Sequence, residues 1–343
     1  MGVASADGNF SVGVHMLFAA KWEHLEKDAG REDGFKIWLA RPALRGVAYR
    51  KWIEYFVQFS LEGAAPALLD AEVVVQPIPE LGLKVGQFLT PFSREFLVPP
   101  GALLMPDFSP SNLLFRNGRD VGAMLMGSAF DKHLEYWAGA ANGNGIGKVA
   151  NDNAQLEWFA RVAANAIGKH PYTEIPSLTK EEMGLTFGLN ASYADVEQTS
   201  NALDAKTGAI TTTKLGSSPT TKLGVDGWSH WGPFSLQAEA YSRTVQAVGG
   251  GARKVARGGF AQMGFFVIDK TLQLAARGDL IDTDAAHDSK LDKRIDAGVN
   301  WYLHANNLKL QARYAWADSP NGLAPASAKG TSNTVTLQAQ LWF

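Results

Sequence analysis

Cysteine is absent from this chain of 343 residues, and long apolar runs are absent as well. The lack of cysteine excludes disulfide bonds, zinc–thiolate sites, cysteine-ligated iron–sulfur clusters and thioether-linked haem. No apolar run approaches the roughly 18 residues that a transmembrane helix needs. The segment Met1–Gly8 is too short and too polar for a signal peptide, which favours a processed chain.

Neither sign of charge is in large excess, because 32 Lys and Arg residues against 34 Asp and Glu residues give a net charge of −2. This balance argues against nucleic acid as a partner, since polyanion binding needs a clustered basic excess. The seven histidines show no metal-ligand spacing, and no Gly-x-Ser-x-Gly elbow is present. We therefore expect no metal, no cofactor and no catalytic residue.

Alternation of apolar and polar side chains with a period of two dominates the chain. Many short strands at even spacing are typical of a sandwich, a propeller or a barrel. About sixteen segments follow the pattern: Asn9–Trp22, Phe35–Arg45, Trp52–Leu61, Asp70–Pro77, Gly82–Leu89, Arg119–Gly127, Lys132–Ala141, Gln155–Ile167, Glu182–Tyr193, Thr221–Trp231, Phe234–Gln246, Arg257–Ile268, Thr271–Ile281, Lys293–Leu303, Leu308–Ala317 and Asn333–Phe343.

The connections between these strands alternate between short turns and long loops, as in outer-membrane barrels. Glu23–Gly34 and Ala194–Thr220 are examples of the long class, and Gly168–Glu181 is too long for its place among the short turns. The last strand ends in Phe343, which resembles the terminal signal of bacterial outer-membrane barrels. The sequence therefore predicts one all-β domain over residues 1–343, a transmembrane antiparallel β-barrel of about 16 strands.

One connection, Thr90–Gly118, stands out because it holds five prolines and many large apolar side chains. The prolines exclude a regular helix or a central strand. A solvated loop has no use for so many apolar groups, and long loops in compact domains are usually functional. We expect this segment to fold into the barrel lumen and pack on its wall as a constriction loop.

Leu83-Lys-Val-Gly-Gln-Phe-Leu-Thr-Pro-Phe-Ser resembles the strand that leads into the third loop of the phosphate-selective porin O/P family. Asn117-Gly-Arg-Asp-Val-Gly resembles the strand that returns from that loop, and Arg41-Pro-Ala-Leu-Arg-Gly-Val more weakly resembles an early Arg-containing strand. The resemblance implies a bacterial outer-membrane location, a sixteen-stranded and often trimeric barrel, and a third extracellular loop inside the pore. Family members known for phosphate carry dense Arg and Lys, whereas this chain is slightly acidic.

If the apolar face of each strand meets lipid, the opposite face lines the lumen. This places basic residues of four strands in one wall: Arg243, Arg277, Arg294, Lys309 and Arg313. The loop adds Arg94 and Arg116, and Arg119 follows at the strand start. Guanidinium groups bind oxyanions through paired donors, so these eight residues are the predicted constriction and anion-binding residues. The alternative is that Glu239, Asp279 and Asp296 neutralise the wall, and that Arg94 and Arg119 anchor the loop.

The resulting hypothesis is an outer-membrane porin, a passive diffusion channel that prefers small anions such as phosphate-like oxyanions. Its expected partners are outer-membrane lipid and lipopolysaccharide, small anionic solutes and two further copies of the chain. One alternative is a structural barrel that is plugged by its loop or that sheathes a partner. Another is a barrel enzyme, with Ser60 or Ser242 beside a histidine of another strand.

Overall fold

Strands make up nearly all of the regular structure. The computed structural model describes residues 2–28, 30–148, 150–151, 153–168, 172–175, 183–203, 210–285, 290–322 and 329–343. Its strands are β1 (Gly2–Ala4), β2 (Ser11–Lys27), β3 (Gly30–Ala48), β4 (Arg50–Ser60), β5 (Ala67–Ile78), β6 (Leu81–Leu89), β7 (Arg119–Ala129), β8 (Leu134–Ala141), β9 (Glu157–Ile167), β10 (Met183–Leu203), β11 (Ile210–Trp231), β12 (Phe234–Gln246), β13 (Arg253–Ile268), β14 (Leu272–Asp282), β15 (Asp292–His304), β16 (Leu308–Ser319) and β17 (Gly330–Trp342).

The strands β2 to β17 form a closed antiparallel barrel of sixteen strands, as predicted. Each pairs with the next along the chain, and β17 closes the barrel on β2 with Trp342 opposite Leu17. The backbone of Phe343 exchanges two hydrogen bonds with that of Met16, at 2.8 and 3.0 Å. Every barrel strand therefore has a neighbour on both sides, which satisfies its backbone groups within lipid. The short β1 adds a hairpin at the start of β2.

All sixteen predicted strand cores overlap with β2–β17, although Glu182 lies outside the described residues. The two faces of the wall also differ in polarity as predicted. In β14, Leu274 and Leu280 are exposed while Gln273, Arg277 and Asp279 are buried. The apolar face therefore points outwards to lipid and the polar face inwards, which is the arrangement of an outer-membrane barrel.

Two of the predicted long loops are instead strand extensions. β2 continues to Lys27 and β3 begins at Gly30, and β10 continues to Leu203 while β11 begins at Ile210. Beyond the lipid, a hairpin needs only backbone pairing, and both of its faces can be polar. The apolar alternation that marks strands in the sequence ends at the membrane boundary, so the prediction ended these strands too early.

The helices are all short. Within residues 90–118, α1 (Arg94–Leu97), a 3-10 turn (Pro100–Ala102) and α2 (Pro110–Phe115) follow one another, and a second 3-10 turn is Val248–Gly250. None of the helices among the described residues is long or apolar enough to cross a membrane.

Candidate functional site

The connection between β6 and β7, hereafter the 90–118 segment, is built from short capped turns. Its base is closed by Thr90, whose backbone N and Oγ1 both donate to the carbonyl of Gly118, at 3.1 and 2.8 Å. The hydroxyls of Ser93 and Ser109 cap α1 and α2 by accepting from the backbone N–H three residues on, at 3.2 and 3.0 Å. Serine caps and prolines at the turn starts therefore set its local shape.

One side of the segment is fixed to β12 and β14 by buried hydrogen bonds. The carboxylate of Glu239 accepts from Ser93 Oγ at 2.8 Å and from the backbone N of Glu95 at 2.6 Å. Farther along, Ser111 Oγ donates to Asp279 at 2.9 Å. These partners are separated by more than 140 residues in sequence and lie on the buried face of the sheet.

Aromatic stacking supports the same contact. The rings of Phe92 and Phe115 stack on Tyr241 of β12, with centroids 6.3 and 5.6 Å apart. Arg243 lies beside them, and its Nη1 donates to the carbonyl of Leu114 at 3.4 Å. Stacked rings of this kind add stabilisation beyond the area that they bury.

The tip of the segment binds the wall through a charge cluster centred on Asp107. Its carboxylate accepts from Arg313 Nη1 at 2.7 Å and from Lys21, and its carbonyl accepts from Arg277 Nη1 at 2.8 Å. Burial alone would raise the pKa of Asp107, but Lys21 and Arg313 outweigh it and hold that pKa below its usual range. The ionised carboxylate is therefore the form that anchors the segment.

The remaining basic residues of the predicted wall also have partners within the protein. Arg277 lies 3.3 Å from Asp296 and 3.5 Å from Glu95. Arg294 pairs with Asp296 at 2.8 Å, and Lys309 donates to the carbonyl of Leu103 at 2.9 Å. These cations bind carboxylates or backbone carbonyls of the segment and the wall, and all of them are buried.

Arg94, the first residue of α1 in the 90–118 segment, lies between two aromatic rings. Its guanidinium carbon is 4.6 Å from the ring centroid of Trp228 and 5.0 Å from that of Tyr172. Burial lowers the pKa of Arg94 from its ordinary value. The side chain is buried and does not line the cavity described below.

A second connection reaches the 90–118 segment from the other end of the barrel. Residues 172–175 are buried or half-buried, and the Glu174 carboxylate accepts from the backbone N of Leu104 at 2.6 Å. Ile175 packs in one apolar cluster with Leu104 and Met105. The anomalous length of Gly168–Glu181 thus has a structural role in the part that is described, namely support of the segment.

Substituting Asp107 by alanine will weaken the anchoring of the segment. Lys21 would lose its carboxylate partner while remaining buried, and Arg313 would keep only the longer contacts to Asp296 and Glu23, at 3.7 and 4.0 Å. Breaking such a buried pair costs about 3 kcal/mol. We expect a lower unfolding temperature in detergent and more frequent current fluctuations in bilayers. The exposed Asp269 provides the control, since Asp269→Ala should change neither. Equal stability of the two variants would contradict the anchoring role.

A cavity of about 440 Å³ lies on the opposite side of the segment, between it and the inward sides of β2–β6. Its charged and ionisable lining residues are His15, Arg41, Arg45, Asp70, Glu72, Lys84, Arg116 and Arg119. Its apolar lining includes Leu17, Phe56, Leu97, Val98, Pro99, Pro100, Phe108 and Trp342.

Four of the five cations in this lining have a carboxylate partner. The pairs are Arg41–Glu62 at 2.9 Å, Arg45–Glu54 at 3.3 Å, Lys84–Glu72 at 2.7 Å and Arg119–Asp70 at 2.9 Å. Among the described residues, the five cavity cations and their four carboxylate partners together carry a net charge of one positive unit.

Arg116 carries the unbalanced charge. Its guanidinium carbon stacks over Phe96 and Phe108, 4.0 and 4.8 Å from the ring centroids. Among the described residues it makes no ion pair, and its buried Nη1 has no hydrogen-bond partner. Glu95 attracts it at longer range but accepts from the backbone N of Ser109 at 3.0 Å. Burial lowers the pKa of Arg116 to about 10, so the group is protonated at neutral pH.

The structure thus divides the eight predicted residues into two groups. Arg116 and Arg119 line the cavity. The other six lie on the side of the barrel that the segment covers: Arg94, Arg243, Arg277, Arg294, Lys309 and Arg313. Four of these six donate to acceptors of the segment, namely Arg243, Arg277, Lys309 and Arg313, so the segment is docked onto this side of the wall.

Sequence reasoning missed Arg41, Arg45 and Lys84 as cavity residues. A signal was available, because positions 41, 43 and 45 of β3 share one face. Arg41 and Arg45 lie in the segment that carries the family resemblance, but their position in the barrel depends on β3 lying opposite the covered wall.

Comparison with known proteins agrees with this architecture. A family model described as phosphate-selective porin O and P matches residues 16–343. A search of curated proteins found no match.

Among solved structures, the chain is similar to an anion-selective porin from Comamonas acidovorans, with 13% identity, 97% of this chain and 100% of that chain covered, and a TM-score of 0.67. It is also similar to the trimer form of OmpT, an outer membrane protein of Vibrio cholerae, with 13% identity, coverages of 97% and 99%, and a TM-score of 0.66. A third is Salmonella typhi OmpF in complex with daunomycin, with 13% identity, 100% of both chains covered and a TM-score of 0.65.

At such low identity these structures establish the fold, a sixteen-stranded outer-membrane barrel. The family follows from the sequence model, which extends over nearly the whole chain. The chain belongs to the phosphate-selective porin O and P family and is a porin of the bacterial outer membrane.

Proposed function

We propose that this porin passes small anions in preference to cations, and that the path runs through the cavity between the 90–118 segment and β2–β6. In this proposal the segment lies in the lumen and narrows it. The proposal is supported by the contacts of the segment with the polar, buried faces of β12 and β14–β16. The family and the fold are those of channels, which work without a chemical step.

The observation that carries the proposal is the unpaired charge of Arg116. The four ion pairs of the cavity act on a distant solute mainly as dipoles, whereas Arg116 presents a full charge. In a narrow and partly desolvated lumen, charge interactions exceed those in bulk water. An anion is therefore stabilised at this point and a cation is repelled.

Reversal potentials in planar bilayers test the proposal. Under a gradient of potassium chloride across a membrane with the unmodified protein, we expect the sign that reports faster movement of chloride. Cation preference would overturn the proposal. It would point instead to the carboxylates near the cavity, such as Glu54 and Glu72, as the working charges.

We also infer that the protein assembles as a homotrimer. The support is its similarity in fold to OmpT, whose structure is a trimer form. Light scattering of the detergent-purified protein, corrected for bound detergent, should give three times the chain mass of 37.0 kDa. A mass of one chain in a mild detergent, with the barrel folded, would contradict this inference.

A further inference from the structure

The cavity has two chemically different faces. The basic side is formed by residues of β3, β6 and the return of the 90–118 segment, with Arg116 as the unpaired cation. Facing the space from the same segment is a continuous apolar run of four residues, Leu97, Val98, Pro99 and Pro100. Trp342 and Leu17 extend that apolar surface onto the wall.

This combination differs from a site built for a small, strongly hydrated oxyanion. Such an ion needs several donors to replace its water, and an apolar wall offers none. The cations beside Arg116 already form ion pairs with carboxylates, as Arg119 does with Asp70. One net positive charge matches a monoanion better than a dianion.

We propose that the solutes this channel favours are organic monoanions with an apolar body, such as aromatic carboxylates. The carboxylate lies at Arg116, whose side chain lines the cavity, and the apolar body lies along the run Leu97–Pro100. A volume of about 440 Å³ is within the range of sites for small organic molecules. This inference rests on the proposed anion preference and names the class of anion.

Each part of such a solute then meets a matching surface. Apolar area that leaves water during passage lowers the barrier in proportion to its size. The guanidinium of Arg116 lies beside the rings of Phe96 and Phe108, so its charge and an apolar surface adjoin within the cavity. The prolines add rigidity, because their fixed φ angles leave little freedom for the segment to collapse into the space.

The first test compares two monocarboxylates of similar size, benzoate and the polar pyroglutamate, as potassium salts against potassium chloride. After correction for mobility in water, we expect benzoate to be about threefold more permeant than pyroglutamate. Equal permeability, or preference for pyroglutamate or inorganic phosphate, would overturn the inference. Both probes are anions, so this outcome is independent of the anion-to-cation preference that the proposed function requires.

Matched variants of the segment provide the second test. Leu97 is half-buried and lines the cavity, whereas Leu113 lies on α2, is exposed and does not line it. Leu97→Gln should remove most of the preference for benzoate over pyroglutamate. Leu113→Gln should leave that preference and the chloride current unchanged. If Leu97→Gln keeps the preference in a folded channel, the apolar run is not part of the path and the inference fails.

Discussion

Replacing Arg116 by alanine will shift the reversal potential towards cations and reduce the anion-to-cation permeability ratio roughly tenfold. A unit charge about 8 Å from a permeating ion contributes about 2 kcal/mol at an effective dielectric constant of about 20. Screening over a Debye length of about 8 Å at physiological salt reduces this to about 0.7 kcal/mol. Because the effect has opposite signs for anions and cations, their permeability ratio changes by about the square of either factor.

Two companion variants separate the charge of Arg116 from its packing. Arg116→Lys keeps the positive charge and should retain most of the anion preference, although lysine stacks less well on Phe96. Arg31→Ala removes an exposed arginine at the β2–β3 hairpin and should have no effect. The role of Arg116 is refuted if its alanine variant, folded and conducting, has the reversal potential of the unmodified protein.

Deleting Val98–Ser109 and joining the ends with a short glycine linker will increase the single-channel current severalfold. These residues contain three of the four residues of the apolar run of the cavity, and they include Asp107, which binds Lys21 and Arg313 on the covered wall. Their removal opens space on both sides of the segment. The wall cations then become accessible to water and solute, so anion preference should persist even as the current rises.

A control deletion tests whether an increase in current is specific to the 90–118 segment. Removing Asn144–Gly147 shortens the connection between β8 and β9 and leaves the 90–118 segment intact. The single-channel current of this variant should equal that of the unmodified protein. An unchanged current in the folded Val98–Ser109 deletion would mean that the segment does not limit conduction.

The strands of this protein can be predicted from the sequence because the side-chain pattern of each strand reflects its own environment. A strand between lipid and lumen must alternate apolar and polar side chains, as Leu274 and Leu280 alternate with Arg277 and Asp279. This pattern can be recognised without knowing which strands are adjacent in the barrel. The strand extensions around Lys27 and Leu203 were missed because they leave the lipid, where the pattern is no longer imposed. The unusual character of the 90–118 segment was visible because its prolines and large apolar groups fit neither a strand nor a solvated loop.

The charges that act on a permeating ion could not be predicted in the same way, because ion pairing depends on residues far apart in sequence. Arg313 is neutralised by Asp107, 206 residues away, and Lys309 is used by a backbone carbonyl of the same segment. Arg116, by contrast with Arg313 and Lys309, has no such partner among the described residues. The sequence by itself determined the barrel, the alternation of its strands and the unusual composition of the 90–118 segment. Only the tertiary structure decided which side of the barrel that segment covers, because docking depends on acceptors and aromatic rings from distant strands meeting at one surface.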